Sequence, residues 1–322
     1  MKDRSFGRYL VFAMKSALSI GLLVAAVGML DWDTLLESLS KISPAAVALT
    51  VAVLLLEFPV LGCRWHLLVR DHNHLGMARQ LRTYFIAVFF NNFTPGQLGG
   101  DIYRFTHNYK AGTSRKILAA LLIRERLIGL GGHLVFFLIC YAAEGFGNNI
   151  PKGPGADLIH VSAFFTAIAL LCLIALPFLA PFLAAFSNKF SNRWCKLLAE
   201  VGAETTKIGP PGLIVAIMTL TLLGVGVIWV GAVKVVALDL GVDVSFFVLG
   251  MIAILANLLR LIPITIQGVG VREAVFAGLF GAFGMFPEDG FLVGLIVYAC
   301  VSLATVAIGV IGKLMPQKEL EL

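Results

Sequence analysis

Asn91-Asn92-Phe93-Thr94-Pro95-Gly96-Gln97-Leu98-Gly99-Gly100-Asp101 interrupts an apolar stretch that begins at Tyr84. A second stretch, Phe246–Ile262, runs in the same way into Pro263-Ile264-Thr265-Ile266-Gln267-Gly268-Val269-Gly270-Val271-Arg272-Glu273. Proline removes a helical donor and clashes with the preceding turn, and glycine lowers helix propensity. A helix should therefore break at both places. Each apolar stretch is also too short or too interrupted to cross about 30 Å of hydrocarbon. Backbone freed by such a break cannot face lipid, so it must be buried in protein or line a wet cavity.

Outward from these two breaks, the chain is built of long apolar runs. Of its 322 residues, 59% are hydrophobic and 14% charged, against about 25% charged in a soluble domain. The mean hydropathy of +0.91 fits no soluble class. Six segments are long enough to span, roughly Tyr9–Leu30, Pro44–Cys63, Ile117–Ala142, Leu158–Phe186, Leu213–Leu238 and Phe291–Leu314. The basic start MKDRSFGRYLVFAMK resembles that of a signal peptide. The apolar run after it ends at Asp31-Trp32-Asp33 with no small-residue cleavage site, so it reads as a retained first span. The expected fold is an all-α polytopic membrane protein with about six full spans plus two re-entrant broken hairpins, forming a single integral domain over residues 1–322.

Charge bias orients this scheme, because Lys and Arg accumulate in cytoplasmic loops. Lys2, Arg4 and Arg8 put the N-terminus inside, and Asp31, Asp33 and Glu37 put the next connection outside. Arg64, Arg70, Arg79 and Arg82 read as inside, and so do Arg104, Lys110, Arg115 and Lys116 after the first break. Glu144 and Asp157 then lie outside, and Lys189, Arg193, Lys196 and Lys207 inside. Asp239 and Asp243 lie outside, as do Glu288 and Asp289 after the second break, and the chain ends inside at Lys313 and Lys318. Every loop agrees only if each broken segment enters and returns on one face. One hairpin then enters from the cytoplasm and the other from outside. Each carries an Asn (Asn92, Asn257), a Pro (Pro95, Pro263) and a Gln-x-x-Gly (Gln97–Gly100, Gln267–Gly270). Paired broken segments of opposite orientation suit an inverted-repeat transporter with its site near the midplane. The approximate repeats are 1–142 and 158–314.

Hairpin tips of this kind present backbone N–H groups and helix ends, which attract anions such as phosphate. Arg104, Arg124, Arg126, Arg260 and Arg272 are candidates to complete a phosphate site through bidentate contacts. Asn92, Pro95, Gln97, Thr265 and Gln267 belong to the tips. The alternative is that Gly and Pro only shape turns while Arg104 and Arg272 snorkel to the interface. Arg124-Glu125-Arg126 lies within an apolar helix, where charges are costly and face the interior or a wet cavity. Three adjacent charges cannot share one helix face; Glu125 is expected to neutralise an arginine on a neighbouring helix, as are Asp101 and Glu273. The alternative is a cytoplasmic helix extension, with the true span starting near Leu127.

Glu57, beside Pro59, is either a proton-coupling carboxylate or a member of an internal ion pair. Lys15 and Lys234 read as snorkelling residues, and His133 as a packing histidine among Gly129, Gly131 and Gly132, which suit close helix contact. Trp32 and Trp65 fall at expected interfaces. Asn188–Lys207 is basic and lies on the cytoplasmic membrane surface or forms a solvated loop. The five cysteines are scattered with no CxxC and no Cys/His cluster, so neither a disulfide framework nor a metal site is read, and no cofactor is expected. Gly224-Val225-Gly226 and Gly268-Val269-Gly270 lack a strand-turn-helix context and do not bind nucleotide. The net charge of +6 is placed in cytoplasmic loops, not in a nucleic-acid site.

The stretches Asn92–Arg104 and Pro263–Ala274, together with Arg64-Trp65 and Arg124-Glu125-Arg126, resemble the pattern of the lysylphosphatidylglycerol synthase transmembrane-domain family. The resemblance covers nearly the whole chain, and Gly268-Val269-Gly270-Val271-Arg272-Glu273 is its most specific part. It implies a flippase-like integral membrane protein that moves a phospholipid or lipid-linked anionic headgroup across the cytoplasmic membrane. The alternative is a membrane-embedded enzyme or accessory subunit acting on polyprenyl-linked, glycolipid or hopanoid lipids, for which Asp101 with Glu273 is the one acid pair to nominate. A lipid substrate is the expected partner, with room for a homo-oligomer or a lipid-biosynthesis partner. There is no space for the aminoacyl-transferase domain of the full synthases, so synthase activity is not carried over. The first signature has Gly100-Asp101 where many relatives have Gly-Glu, which shortens the reach of that carboxylate.

Overall fold

The computed structural model describes residues 30–94, 98–150, 152–190, 211–260 and 268–316, with isolated positions between 14 and 28. Among these residues every regular element is helical. We number the helices α1 (Trp32–Lys41), α2 (Pro44–Val69), α3 (Met77–Phe93), α4 (Leu98–Lys110), α5 (Arg115–Ala143), α6 (Pro154–Phe190), α7 (Pro211–Thr221), α8 (Trp229–Asp239), α9 (Phe246–Arg260), α10 (Val271–Ala282) and α11 (Pro287–Leu314). A π-helical stretch, Leu222–Ile228, joins α7 to α8.

Five segments are long and apolar enough to cross a membrane: Pro44–His72, Arg115–Ala143, Pro154–Ala175, Gly212–Asp239 and Pro287–Leu314. These match five of the six expected spans. The remaining one, Tyr9–Leu30, falls almost wholly outside the described residues, as do most of Asn188–Lys207 and the terminal Lys318. The chain is thus an integral membrane protein.

The broken segments form two helix pairs. α3 and α4 have 17 and 13 residues, so they reach only about 25 and 20 Å at 1.5 Å per residue. They run antiparallel. Gln80 Nε2 donates to Asn108 Oδ1 at 2.6 Å, Phe90 stacks on Tyr103 at 5.5 Å, and the Gly100 N–H donates to Asn91 Oδ1 at 2.8 Å. The Gly99-Gly100 pair makes the approach possible: a Cβ at Gly100 would lie 2.3 Å from the Ala87 carbonyl oxygen. In the second region α9 and α10, of 15 and 12 residues, flank the break. α10 lies tightly on α11, with a Cβ at Gly290 falling 2.5 Å from the Phe276 carbonyl oxygen. Gly268 and Gly270 both have positive φ, 78° and 85°, which glycine adopts without a steric cost. This explains the Gly-Val-Gly spacing of the second signature.

Several expectations are corrected. α2 does not end at Cys63 but continues to Val69, carrying Arg64 and Trp65 into the interior. Trp65 is therefore no interface anchor: it is fully buried, and its indole N–H donates to Gln80 Oε1 at 3.1 Å. Arg82 and Arg104 are also buried on helices, not in a cytoplasmic loop. Glu288 and Asp289, expected in an outer loop, are buried at the start of α11. There they accept from the Asp31 N–H (2.8 Å) and the Ser38 hydroxyl (2.6 Å), which fastens α1 to α11. Arg64, Arg104, Glu288 and Asp289, read as loop residues, have each met a partner that is remote in sequence.

Candidate functional site

The face of α2 at Leu54, Glu57, Phe58, Leu61 and Arg64 repeats with helical spacing and forms one wall of a cavity of about 500 Å³. Tyr84, Val88, Asn91 and Asn92 of α3 and Asp101 and Arg104 of α4 form the next wall. α5 contributes Glu125, Arg126, Gly129 and His133, and the π segment contributes Val225. Trp229 of α8, Asn257 of α9, and Tyr298 and Thr305 of α11 close it.

Charge in this cavity is ordered as an alternating chain. Arg64 Nη2 donates to Glu125 Oε1 at 3.2 Å. Arg104 Nη1 donates to the other oxygen of Glu125 at 2.5 Å, and its Nη2 donates to Asp101 Oδ1 at 2.6 Å. Arg126 donates to the second oxygen of Asp101. The sequence Arg64–Glu125–Arg104–Asp101–Arg126 thus draws on helices α2, α5 and α4. Arg104 also lies 4.4 Å from the Trp65 ring centroid and 5.5 Å from that of Tyr84, within cation–π reach. Arg64, Glu125 and Arg104 are buried, whereas half of the Arg126 side chain is exposed. With Glu57 included, three arginines and three carboxylates line the cavity, so its formal charge is zero.

Arg104 is held from behind by a polar cluster. Asn108 Nδ2 donates to the Arg104 carbonyl at 2.8 Å, and Asn108 Oδ1 accepts from both Gln80 (2.6 Å) and Asn73 (2.8 Å). His133 Nδ1 lies 2.7 Å from the Gly129 carbonyl oxygen, as a packing histidine should, although its ring also faces the cavity.

The expected site residues divide cleanly. Glu57, Asn92, Asp101, Arg104, Glu125 and Arg126 come together on the cavity. Arg124, on the same helix, is buried and is not part of its lining. Arg272 and Glu273 are each 1% exposed and form their own pair. Arg272 stacks 4.4 Å over Tyr298, and Glu273 Oε2 accepts the Gly270 N–H at 2.7 Å. Neither Arg104 nor Arg272 snorkels. Pro95, Gln97, Thr265 and Gln267 lie outside the described residues, as does the side chain of Arg260.

The tips expected to present open N–H groups, 95–97 and 261–267, lie outside the described residues. Beside them, Gly99 donates to Thr94 Oγ1 (2.8 Å), Gly100 to Asn91 and Gly270 to Glu273, so these three donors are already capped. Among the described cavity residues, Arg64, Arg104 and Arg126 are the cationic candidates to meet an anion. Sequence reasoning missed Tyr84, Asn91, Trp229, Tyr298 and Thr305 as lining residues. It had read Arg64 as a loop residue, though the i, i+3, i+7, i+10 spacing of Leu54, Glu57, Leu61 and Arg64 carried the signal.

Taken together, this is an all-helical integral membrane protein whose broken helix pairs adjoin a charged interior cavity. The chain belongs to the lysylphosphatidylglycerol synthase TM region family, whose model matches residues 12–309. That family places it among membrane proteins of lipid metabolism or flipping. No curated protein matches the chain.

Proposed function

We propose that this protein is a lipid flippase-like transporter that moves a phospholipid or lipid-linked anionic headgroup across the cytoplasmic membrane, with both termini in the cytoplasm. In this reading the two short helix pairs are re-entrant hairpins related as an inverted repeat. Their lengths support it, and so does a shared device. In each, an arginine stacks on an aromatic ring and pairs with a carboxylate of its own arm, Arg104 with Asp101 and Arg272 with Glu273.

The observation that carries the proposal is the cavity's charge chain ending in the half-exposed Arg126. A phosphate oxygen can replace Asp101 on Arg126, and Arg104 lies behind to share the charge. The acyl tails stay in lipid while the headgroup occupies the cavity. Glu125 and Asp101 are each held between two arginines, which suits binding better than acid–base chemistry. Glu273 is committed to Arg272 and Gly270 and is not part of the cavity lining, so the Asp101–Glu273 acid pair gains no support.

Glu57 is the coupling carboxylate in this reading. A phosphate monoanion entering a neutral cavity leaves one excess negative charge, and a proton on Glu57 restores the balance. The groups that share the cavity with it are Arg64, Tyr84, Asp101, Arg104, Glu125, Arg126, His133 and Tyr298.

The test is translocation of fluorescent phospholipids in proteoliposomes, with wild type compared against Arg126→Ala. Protein-dependent movement that Arg126→Ala reduces by about tenfold or more supports the reading, since a charge-assisted contact contributes on that scale. Absence of movement above empty liposomes across anionic phospholipids and polyprenyl phosphates would sink it.

A further inference from the structure

At one end of the helix assembly, polar bonds tie the first half of the chain to the second. The Asp239 carboxylate accepts both the Ser43 N–H (2.7 Å) and the Ser43 hydroxyl (2.9 Å). Asp289 accepts from the Ser38 hydroxyl at 2.6 Å, and Glu288 from the Asp31 N–H at 2.8 Å. Glu144 accepts from the Ser245 hydroxyl. In every pair one member comes no later than Glu144 and the other no earlier than Asp239. The pairs join α1 to α11, α2 to α8, and the end of α5 to the start of α9. Asp31 and Ser43 are the N-caps of α1 and α2, and Ser245 directly precedes α9. A helix N-terminus favours a nearby negative charge. Asp239, Glu288 and Glu144 each settle on a helix start of the other half.

The cavity stops short of these bonds. None of the residues that make them belongs to its lining, and on α2 the lining begins at Leu54, about 16 Å along the helix from Ser43. Its half-exposed arginine, Arg126, lies nearer the start of α5 than its Glu144 end. Beside the cavity the halves are joined by a longer bond, from Arg64 to Thr221 at 3.4 Å, while the charge chain lies wholly within the first half. We infer that the carboxylate bonds are latches that shut the cavity at this end, and that the two halves must part at them for it to open there. The inference rests on the transport reading above, since a carrier opens its site to both faces in turn. In that reading the latched end faces away from the cytoplasm. The chemistry suits a reversible closure. A hydrogen bond to a carboxylate is stronger than one between neutral groups, so a few of them hold the end firmly. Glu144, Glu288 and Asp289 are buried when latched, and water replaces each donor once the end opens, so no charge is stranded.

The experiment measures distances by pulsed electron paramagnetic resonance on the full chain in detergent, with the five native cysteines replaced by alanine. Spin labels at Glu37→Cys and Asp243→Cys, whose native side chains are 72% and 95% exposed, span the halves at the latched end. Labels at Arg70→Cys and Lys313→Cys, also exposed, span the opposite end. Ser38→Ala, Ser43→Ala and Ser245→Ala together remove the hydroxyl donors. They are expected to add a longer separation at the latched end, the ratio of open to closed rising about tenfold for each bond lost. Ser38→Ala alone disturbs no helix cap, should shift the ratio the same way by less, and serves if the triple variant does not fold. Distances at the latched end that match the unsubstituted protein in these variants would overturn the inference. Translocation in proteoliposomes separates it from the transport reading. Ser38→Cys with Asp289→Cys, bridged by a short reducible dithiol reagent, should stop lipid movement, and reduction should restore it. Movement that persists through complete bridging removes the latch and keeps the transporter. A wild type that moves no lipid, with latch variants that open, does the reverse.

Discussion

Glu125→Gln removes the one negative charge that sits between Arg64 and Arg104. All three side chains are buried, with 6–7% of each exposed. Removing one partner from a buried ion pair leaves an uncompensated charge and costs about 3–5 kcal/mol, far more than the pair itself contributes. Glutamine makes the local situation worse, since it keeps one acceptor and turns an N–H₂ towards a guanidinium. The comparison variant is Arg126→Ala. Half of the Arg126 side chain is exposed, and a pair with that much solvent contributes about 0–1 kcal/mol. The midpoint of thermal unfolding in detergent should therefore fall by several degrees for Glu125→Gln and hardly at all for Arg126→Ala. Arg64→Leu added to Glu125→Gln restores the charge count and should recover part of the loss. The same substitution should tighten binding of phosphatidic acid, because Arg104 loses an internal competitor. Stability and anion affinity thus move in opposite directions. Equal midpoints for the two single variants, or a double variant whose losses simply add, would refute the account of a shared buried chain.

Gly132→Val should lower the yield of folded protein, because even a Cβ there would lie 2.3 Å from Thr221 Cγ2, and overpacking generally costs about 1–3 kcal/mol; size-exclusion recovery reads this. Gly226→Ala is expected to do the same through Phe136, whose ring carbon Cδ2 would lie 2.3 Å away. Under the coupling proposal, Glu57→Gln should abolish stimulation of translocation by an imposed proton gradient in the proteoliposome assay, and stimulation equal to wild type would exclude Glu57 as the proton carrier. Asn108→Leu should slow translocation while leaving Arg104 in place chemically, because it removes the acceptor that organises Gln80 and Asn73 behind it; Asn108→Asp, which keeps that acceptor, should retain more activity.

Much of this architecture was legible in the sequence because membrane spans write themselves as uninterrupted apolar runs. Five runs became helical segments, four of them within four residues of their expected limits while α2 overran Cys63 to Val69, and both Pro/Gly breaks fell between separate helices. The interior charges were legible in kind but not in place. Arg124-Glu125-Arg126 announced itself as costly, and Glu125 was rightly assigned to arginines on other helices. Nothing local told Arg126, which lines the cavity, from Arg124, which does not. Charge bias misled at Arg64, Arg82, Glu288 and Asp289, where a charged residue beside a span boundary reads the same whether solvated or buried. The difference lies in partners such as Ser38 and Glu125, which lie far along the chain. Asn257 was legible only as the counterpart of Asn92 in the second break, and Trp229 carried no signal, since its place on the cavity depends on neighbours that are remote in sequence.

The π-helical stretch between Thr221 and Trp229 sets the phase of everything after it. One residue more per turn than an α-helix advances the following face by about 100°. Trp229 meets the cavity only because of that advance, while Thr221 behind it meets Arg64 at 3.4 Å. Closing residues 222–228 into a plain α-helix with every residue kept would turn Trp229 by about 100°, whereas deleting one residue there would leave it in phase with Thr221. The extra residue is thus taken up within the π stretch, and one interior face runs on through α7 and α8.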